Sequence, residues 1–120
     1  YLTTLINMAE AIYISLGLSR DEAKSALWPL ITRTLKNIEA KGSVQALTGP
    51  ISRGDAGTIN DHLLAFQEKL PDYLPAYRAI GLLTVDLAVT RGCLTREGAE
   101  TIKNSLEGDN SSVTSEIEPA

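Results

Sequence analysis

The sequence has very little of what builds metal and redox sites. Its 120 residues include a single cysteine, Cys93, and a single histidine, His62. One cysteine excludes an internal disulfide and any multi-cysteine metal site. A lone histidine has no partner for a zinc site made of histidine and cysteine. No stretch approaches the ~18 consecutive apolar residues of a membrane span, and there is no signal-peptide pattern. Positive charge is short as well: 11 Lys and Arg against 15 Asp and Glu leave a formal net charge of −4. Nucleic-acid binding by counterion release needs a face rich in Lys and Arg, and none is visible. These absences predict a soluble, cytoplasmic domain that takes no metal, no nucleic acid and no membrane. The length suits one domain with a modest core.

What is present is helical periodicity. Apolar residues at 2, 5, 6, 9, 12, 13 and 16 predict a helix from Tyr1 to Leu16, ended by Gly17 in a left-handed position. No capping residue precedes that stripe, so the chain is expected to be a piece of a longer protein. Ser19-Arg20-Asp21-Glu22 is a capping box, in which the serine hydroxyl and the glutamate each satisfy a free backbone N–H. It opens a second helix to about Lys41, with Ala23, Ala26, Leu27, Leu30, Ile31, Leu35 and Ile38 as its stripe. Pro29 predicts a kink or break inside it. Gly42 ends it, and Ser43 to Leu47 would form one short helical turn.

A third helix follows Asp55 or Thr58 as its cap and carries Ile59, Leu63, Phe66 and Leu70 on one side. Pro71-Asp72 breaks the chain, and Pro75 suits the first turn of the next helix, Tyr73 to Arg91. Between Ala79 and Val89 the only charge there is Asp86. A helix apolar nearly all round must be buried on several sides, so it is either the long central helix of the domain or packs on a second subunit. Gly92 ends it, and Thr95 caps a last helix, Arg96 to Leu106. Residues 108–120 are polar and read as a disordered tail after a domain spanning 1–107. No strand alternation persists and no repeat is evident. The expected fold is all-α, a bundle of five or six helices with short connections.

The segment Thr48-Gly49-Pro50-Ile51-Ser52-Arg53-Gly54-Asp55 interrupts this pattern. A rigid polar loop set in a helical scaffold is where a binding or catalytic residue is expected. Arg53, beside a helix N-terminus, is suited to hold a phosphate or carboxylate; alternatively it pairs with Asp55 and only stiffens the loop. Asp55 reads more as an N-cap than as a catalytic carboxylate. Gly49 and Gly54 supply backbone geometry or close approach to a ligand, and Pro50 stiffens the turn. Thr48 and Ser52 offer hydroxyls to a substrate, or cap and face water. His62, two turns into its helix, is either a general acid for a carbonyl or imine or a hydrogen-bonded interface histidine. Cys93 follows a helix C-terminus, whose dipole disfavours a thiolate, and reads as structural. Trp28 and Tyr77 read as core or interface residues. Asp86 would pair across a dimer interface or with Arg78. The tripeptide Arg53-Gly54-Asp55 matches a cell-adhesion motif by coincidence.

Leu47-Thr48-Gly49-Pro50-Ile51-Ser52-Arg53-Gly54-Asp55, followed by His62-Leu63 and Tyr77-Arg78-Ala79, resembles the helical domain called domain of unknown function 2520. The first helix and Leu83-Thr84-Val85-Asp86-Leu87-Ala88 carry the same likeness, which covers about Tyr1 to Gly92. The resemblance implies a C-terminal domain like that of 6-phosphogluconate dehydrogenase, following a Rossmann-like domain that this chain does not contain. It implies further a homodimer that closes over NADP or NAD, held mainly by the missing domain, and over a small-molecule substrate. On that view this fragment alone is inactive. Arg53, Thr48, Gly49, Ser52 and Asp55 become its substrate- or cofactor-binding candidates and His62 its catalytic one. The competing expectations are a helical oligomerisation or interaction module and a nucleotide-binding protein without catalysis.

Overall fold

The structure is a computed structural model and describes residues 1–108, so the predicted tail from 109 onward lies outside the described residues. Five α-helices follow in order: α1 (Leu2–Ser15), α2 (Arg20–Lys41), α3 (Ala56–Lys69), α4 (Leu74–Arg91) and α5 (Arg96–Glu107). A single 3-10 turn, Pro71–Tyr73, leads into α4, and no strand occurs among the described residues. The expectation of an all-α protein holds.

The helix ends follow local chemistry. Ser19 accepts from the Glu22 N–H at 3.1 Å while the Glu22 carboxylate accepts from the Ser19 N–H at 3.3 Å, completing the capping box of α2. At the end of α1, Leu18 N–H donates to the Tyr13 carbonyl at 3.2 Å and Gly17 N–H to that of Ile14 at 3.0 Å, with Gly17 at φ 104°. This is a Schellman closure, which needs a left-handed residue and therefore favours glycine. Gly92, at φ 83°, ends α4 with the same pair of bonds, from its own N–H to Val89 and from Cys93 N–H to Ala88. Thr95 caps α5 by accepting from the Gly98 N–H.

Two expectations change. α2 runs unbroken through Pro29 for 22 residues. The carbonyl that proline leaves unpaired belongs to Ser25, which is exposed, so it is open to solvent. Ser43 to Leu47 forms the one short turn expected, held by Ala46 N–H on the Gly42 carbonyl and Leu47 N–H on that of Val44. Trp28 is exposed rather than part of a core.

The core lies where α3, α4 and α5 meet. Ile59, Val85, Ala88, Leu94, Ala99, Ile102 and Leu106 form it, and Ile51 reaches in from the loop before α3. Gly81 brings α4 close to α5: a Cβ there would stand 2.9 Å from a methyl of Leu106. α4 buries Gly81, Val85 and Ala88, but Ile80, Leu83 and Val89 on its other faces are exposed. Asp86 pairs with Lys103 of α5 at 3.0 Å, not with Arg78. The Arg78 guanidinium instead packs against Gly108 at the end of α5, and its buried Nε has no hydrogen-bond partner among the described residues.

α1 and α2 form an antiparallel hairpin that packs mainly on itself. In α2 it buries Ala23 and Leu27, and in α1 nothing. Glu10 and Arg20 tie its ends at 3.2 Å, an exposed pair of small energetic weight.

Candidate functional site

The loop before α3 is a compact, anchored turn. Arg53 N–H donates to the Gly49 carbonyl at 3.3 Å, Gly54 N–H to Ile51 at 3.1 Å and Asp55 N–H to Pro50 at 2.9 Å. Gly49 and Gly54 take φ of 101° and 68°, which these crossings require. Ile51 roots the loop in the core, and Arg91 of α4 donates to the carbonyl of Leu47 at its start. Ser52 is buried and its hydroxyl donates to the Gly49 carbonyl at 2.7 Å. Its proton therefore serves the loop. Thr48 is exposed at the rim.

Arg53 is exposed and forms no ion pair among the described residues. Asp55, the residue it would have paired with, is the N-cap of α3: its carboxylate accepts from the Thr58 N–H at 3.0 Å and from the Thr58 hydroxyl at 2.7 Å. Those two bonds, the hydroxyl one first, hold the Asp55 carboxyl below its ordinary range, and the nearby charges of Arg53 and His62 add to the effect. Asp55 thus stays a caged anion beside a free cation.

Residues 55, 62, 66 and 69 follow one another along α3 at helical spacing and share a face. On that face His62 Nδ1 lies 2.9 Å from the Tyr77 hydroxyl of α4. The two rings meet edge to face, 6.0 Å between centroids, and Phe66 stacks obliquely on the other side of Tyr77 at 4.7 Å. Burial raises the Tyr77 pKa, so the phenol keeps its proton across the neutral range. A neutral phenol donates to Nδ1 or accepts from it, according to the imidazole tautomer.

This pair opens on a cleft of about 400 Å³ between the end of α1 and α3. Ile12, Leu16, Phe66 and Leu70 give it an apolar lining, with His62, Tyr77 and Lys69 as its titratable groups. A second cleft, of about 250 Å³, continues between α1 and α4 and shares Ile12, Phe66 and Tyr77 with the first. Asp55, at the start of α3, feels the charges of both Arg53 and His62, whereas Arg53 lines neither cleft. The structure gives Ser52, Gly49 and Gly54 to the scaffold of the loop.

Tyr77 and Lys69 escaped sequence reasoning as site residues. Lys69 was within reach of it, because 62, 66 and 69 lie on one helical face. Tyr77 was not, because it joins His62 only after Pro71 turns the chain back. Among the described residues no three His, Cys, Asp or Glu side chains gather into a metal-binding group. No helix there is long and apolar enough to cross a membrane.

Residues 1–84 match a family described as a domain of unknown function, DUF2520. No curated protein and no solved structure matches the chain.

Proposed function

The chain belongs to the DUF2520 family, and on that premise we propose that it is the C-terminal, dimerising and active-site-capping domain of an NAD(P)-dependent oxidoreductase. The observation that carries this reading is the His62–Tyr77 pair, 2.9 Å apart at the mouth of an apolar cleft along α3. A proton donor, an unpaired guanidinium and an apolar wall are what a small carbonyl or imine substrate requires. The resemblance of the loop to 6-phosphogluconate dehydrogenase-like helical domains of nicotinamide enzymes supplies the reaction class.

The described residues do not fit the cofactor by themselves. They contain no strand, hence no glycine-rich turn from strand to helix to take a pyrophosphate. A nicotinamide cofactor would be held by a dinucleotide-binding domain outside this chain, and hydride transfer belongs to it. This chain's own share is to bind and orient. Arg53 holds an anionic group of the substrate, and Asp55 caps α3 so that the guanidinium and His62 keep their places. His62 delivers a proton at one ring nitrogen while Tyr77 fixes the other. The α1–α2 hairpin supplies the dimer contact.

Titration of the full-length protein with NADPH and with NADH, in wild type and Arg53→Ala, tests this. The expected result is cofactor binding in both and weaker binding or turnover of anionic carbonyl substrates in the variant. Turnover and substrate affinity indifferent to Arg53→Ala would remove the site assignment. Cofactor binding without turnover of any carbonyl or imine would leave a nucleotide-binding protein.

A second reading, a non-enzymatic helical interaction module, is favoured by the exposed Leu2, Leu5, Trp28, Leu30 and Leu35 of the hairpin. Sedimentation separates the readings. A strict monomer at high concentration counts against both a module and a dimerising domain. A dimer whose full-length form takes no nicotinamide favours the module.

A further inference from the structure

The cleft between α1 and α3 is largely apolar, and the one hydroxyl on its α1 side, that of Ser15, is given to the Ile12 carbonyl. At one end stand His62 and Tyr77; at the other is Lys69, two turns further along α3. Seven residues of α-helix rise about 10 Å, so the polar ends are about that far apart. Ile12, Leu16, Ala65, Phe66 and Leu70 supply its apolar lining. No acidic side chain lines the cleft, and Lys69 makes no ion pair among the described residues. The volume of about 400 Å³ lies in the usual range of small-molecule sites, about 300–1,000 Å³.

These features select a ligand. An apolar channel rejects a sugar or a nucleotide, whose hydroxyls and phosphates would lose water without finding partners. It accepts a hydrocarbon chain or aryl group, which gains by leaving water. The unpaired ammonium at one end asks for an anion, and charge complementarity at a partly dry site is stronger than in open water.

We propose that this cleft binds an amphipathic monocarboxylate. Its carboxylate sits on Lys69, its apolar body crosses Phe66 between Ile12 and Leu70, and its far end reaches the His62–Tyr77 pair. The binding stands on the cleft alone.

Octanoate is the probe, with octanol as its uncharged counterpart, titrated into the intact protein by calorimetry while the His62 and Tyr77 ring signals are followed by NMR. Octanoate is expected to bind saturably and shift both rings. One charge-assisted contact corresponds to roughly tenfold tighter binding than octanol. Lys69→Met removes that preference and leaves octanol binding as it was. Ala65→Trp, at an exposed position on the cleft wall, fills the space and abolishes binding of both. Absence of saturable binding, equal binding of octanoate and octanol, or an octanoate affinity untouched by Lys69→Met each overturns the proposal. A cleft closed to both ligands in a dimer overturns it as well. The nicotinamide titration can fail while octanoate binds, and the reverse, so the two readings fall separately.

Discussion

Between Ala56 and Glu107 three helices close on Ile59, Val85, Ile102 and Leu106, each less than 2% exposed. The α1–α2 hairpin is built of the same helical material and buries only Ala23 and Leu27, while Trp28 remains 56% and Leu30 59% exposed. Side-chain caps occur in both regions, the Ser19–Glu22 box on α2 and Asp55 and Thr95 on α3 and α5. What differs is the number of partners. A helix in a group of three can cover its apolar stripe, whereas each helix of a two-helix hairpin has one neighbour and leaves the rest of its stripe to solvent or to something else. The clefts of about 400 and 250 Å³ lie along the line where the hairpin meets the α3–α5 body. The site proposed here therefore sits between a well-buried wall and a sparsely buried one, and regions with few buried apolar contacts are those from which binding segments are commonly drawn.

The sharpest way to break this comparison is to make matching substitutions in the two regions. Ile102→Ala is expected to cost about 3 kcal/mol in denaturant unfolding, a large part of the ~5–15 kcal/mol typical of a domain. Below the concentration at which the chain dimerises, Leu30→Ala should stay within about 0.5 kcal/mol. A cost at Leu30 that grows with protein concentration is expected where a second copy covers the hairpin, and its absence would remove the hairpin from the dimer contact. Next in size is Gly81→Ala. Its methyl would meet Leu106 at 2.9 Å, and overpacking of this kind costs about 1–3 kcal/mol, less up to ~1 kcal/mol of gained helix propensity. A stabilised variant would mean that α4 and α5 are free to separate.

Ser19→Ala removes one half of the capping box of α2, worth about 1 kcal/mol. Hydrogen exchange should then quicken in the hairpin amides and leave those of Ile59 and Ile102 as they were. Uniform quickening would show that the two regions open as one unit. The smallest effect concerns the loop. The folded-state pKa of Asp55 is depressed below its ordinary 3.8, so its contribution is fully present above the unfolded pKa of about 3.9 and is lost as pH falls through the lower folded value. Acid titration of stability should show this step in wild type and not in Asp55→Asn. A variant with an unaltered acid limb would show that Thr58 alone holds the start of α3.

The sequence reading succeeded wherever a structure depends on a few neighbouring residues. Ser19 with Glu22, Gly17, Gly92, Thr95 and the cap at Asp55 all stand where turn and cap chemistry places them. The loop was legible as a loop for the same reason. Pro29 does not break α2, because the cost of an interior proline depends on whether the freed carbonyl is open to solvent, and exposure is not a local property. Of the two readings of Trp28, core or interface, its exposure removes the core one, because an apolar side chain in the sequence does not say which partner covers it. Asp86 was assigned to its own helix or to a partner subunit, yet Lys103 of α5 holds it at 3.0 Å.

The sequence by itself determined the helices, their ends and the rigid turn around Arg53, because backbone hydrogen bonds in helices and caps close within three to five residues. Only the tertiary structure decided which side chains meet. His62 finds Tyr77 across 15 positions and Arg91 finds the Leu47 carbonyl across 44. Such pairings follow from how α3, α4 and α5 pack, which is set by the joint burial of Ile59, Val85, Ile102 and Leu106 and by the close approach at Gly81. The His62–Tyr77 pair and the apolar cleft it opens on come together only when that packing is in place.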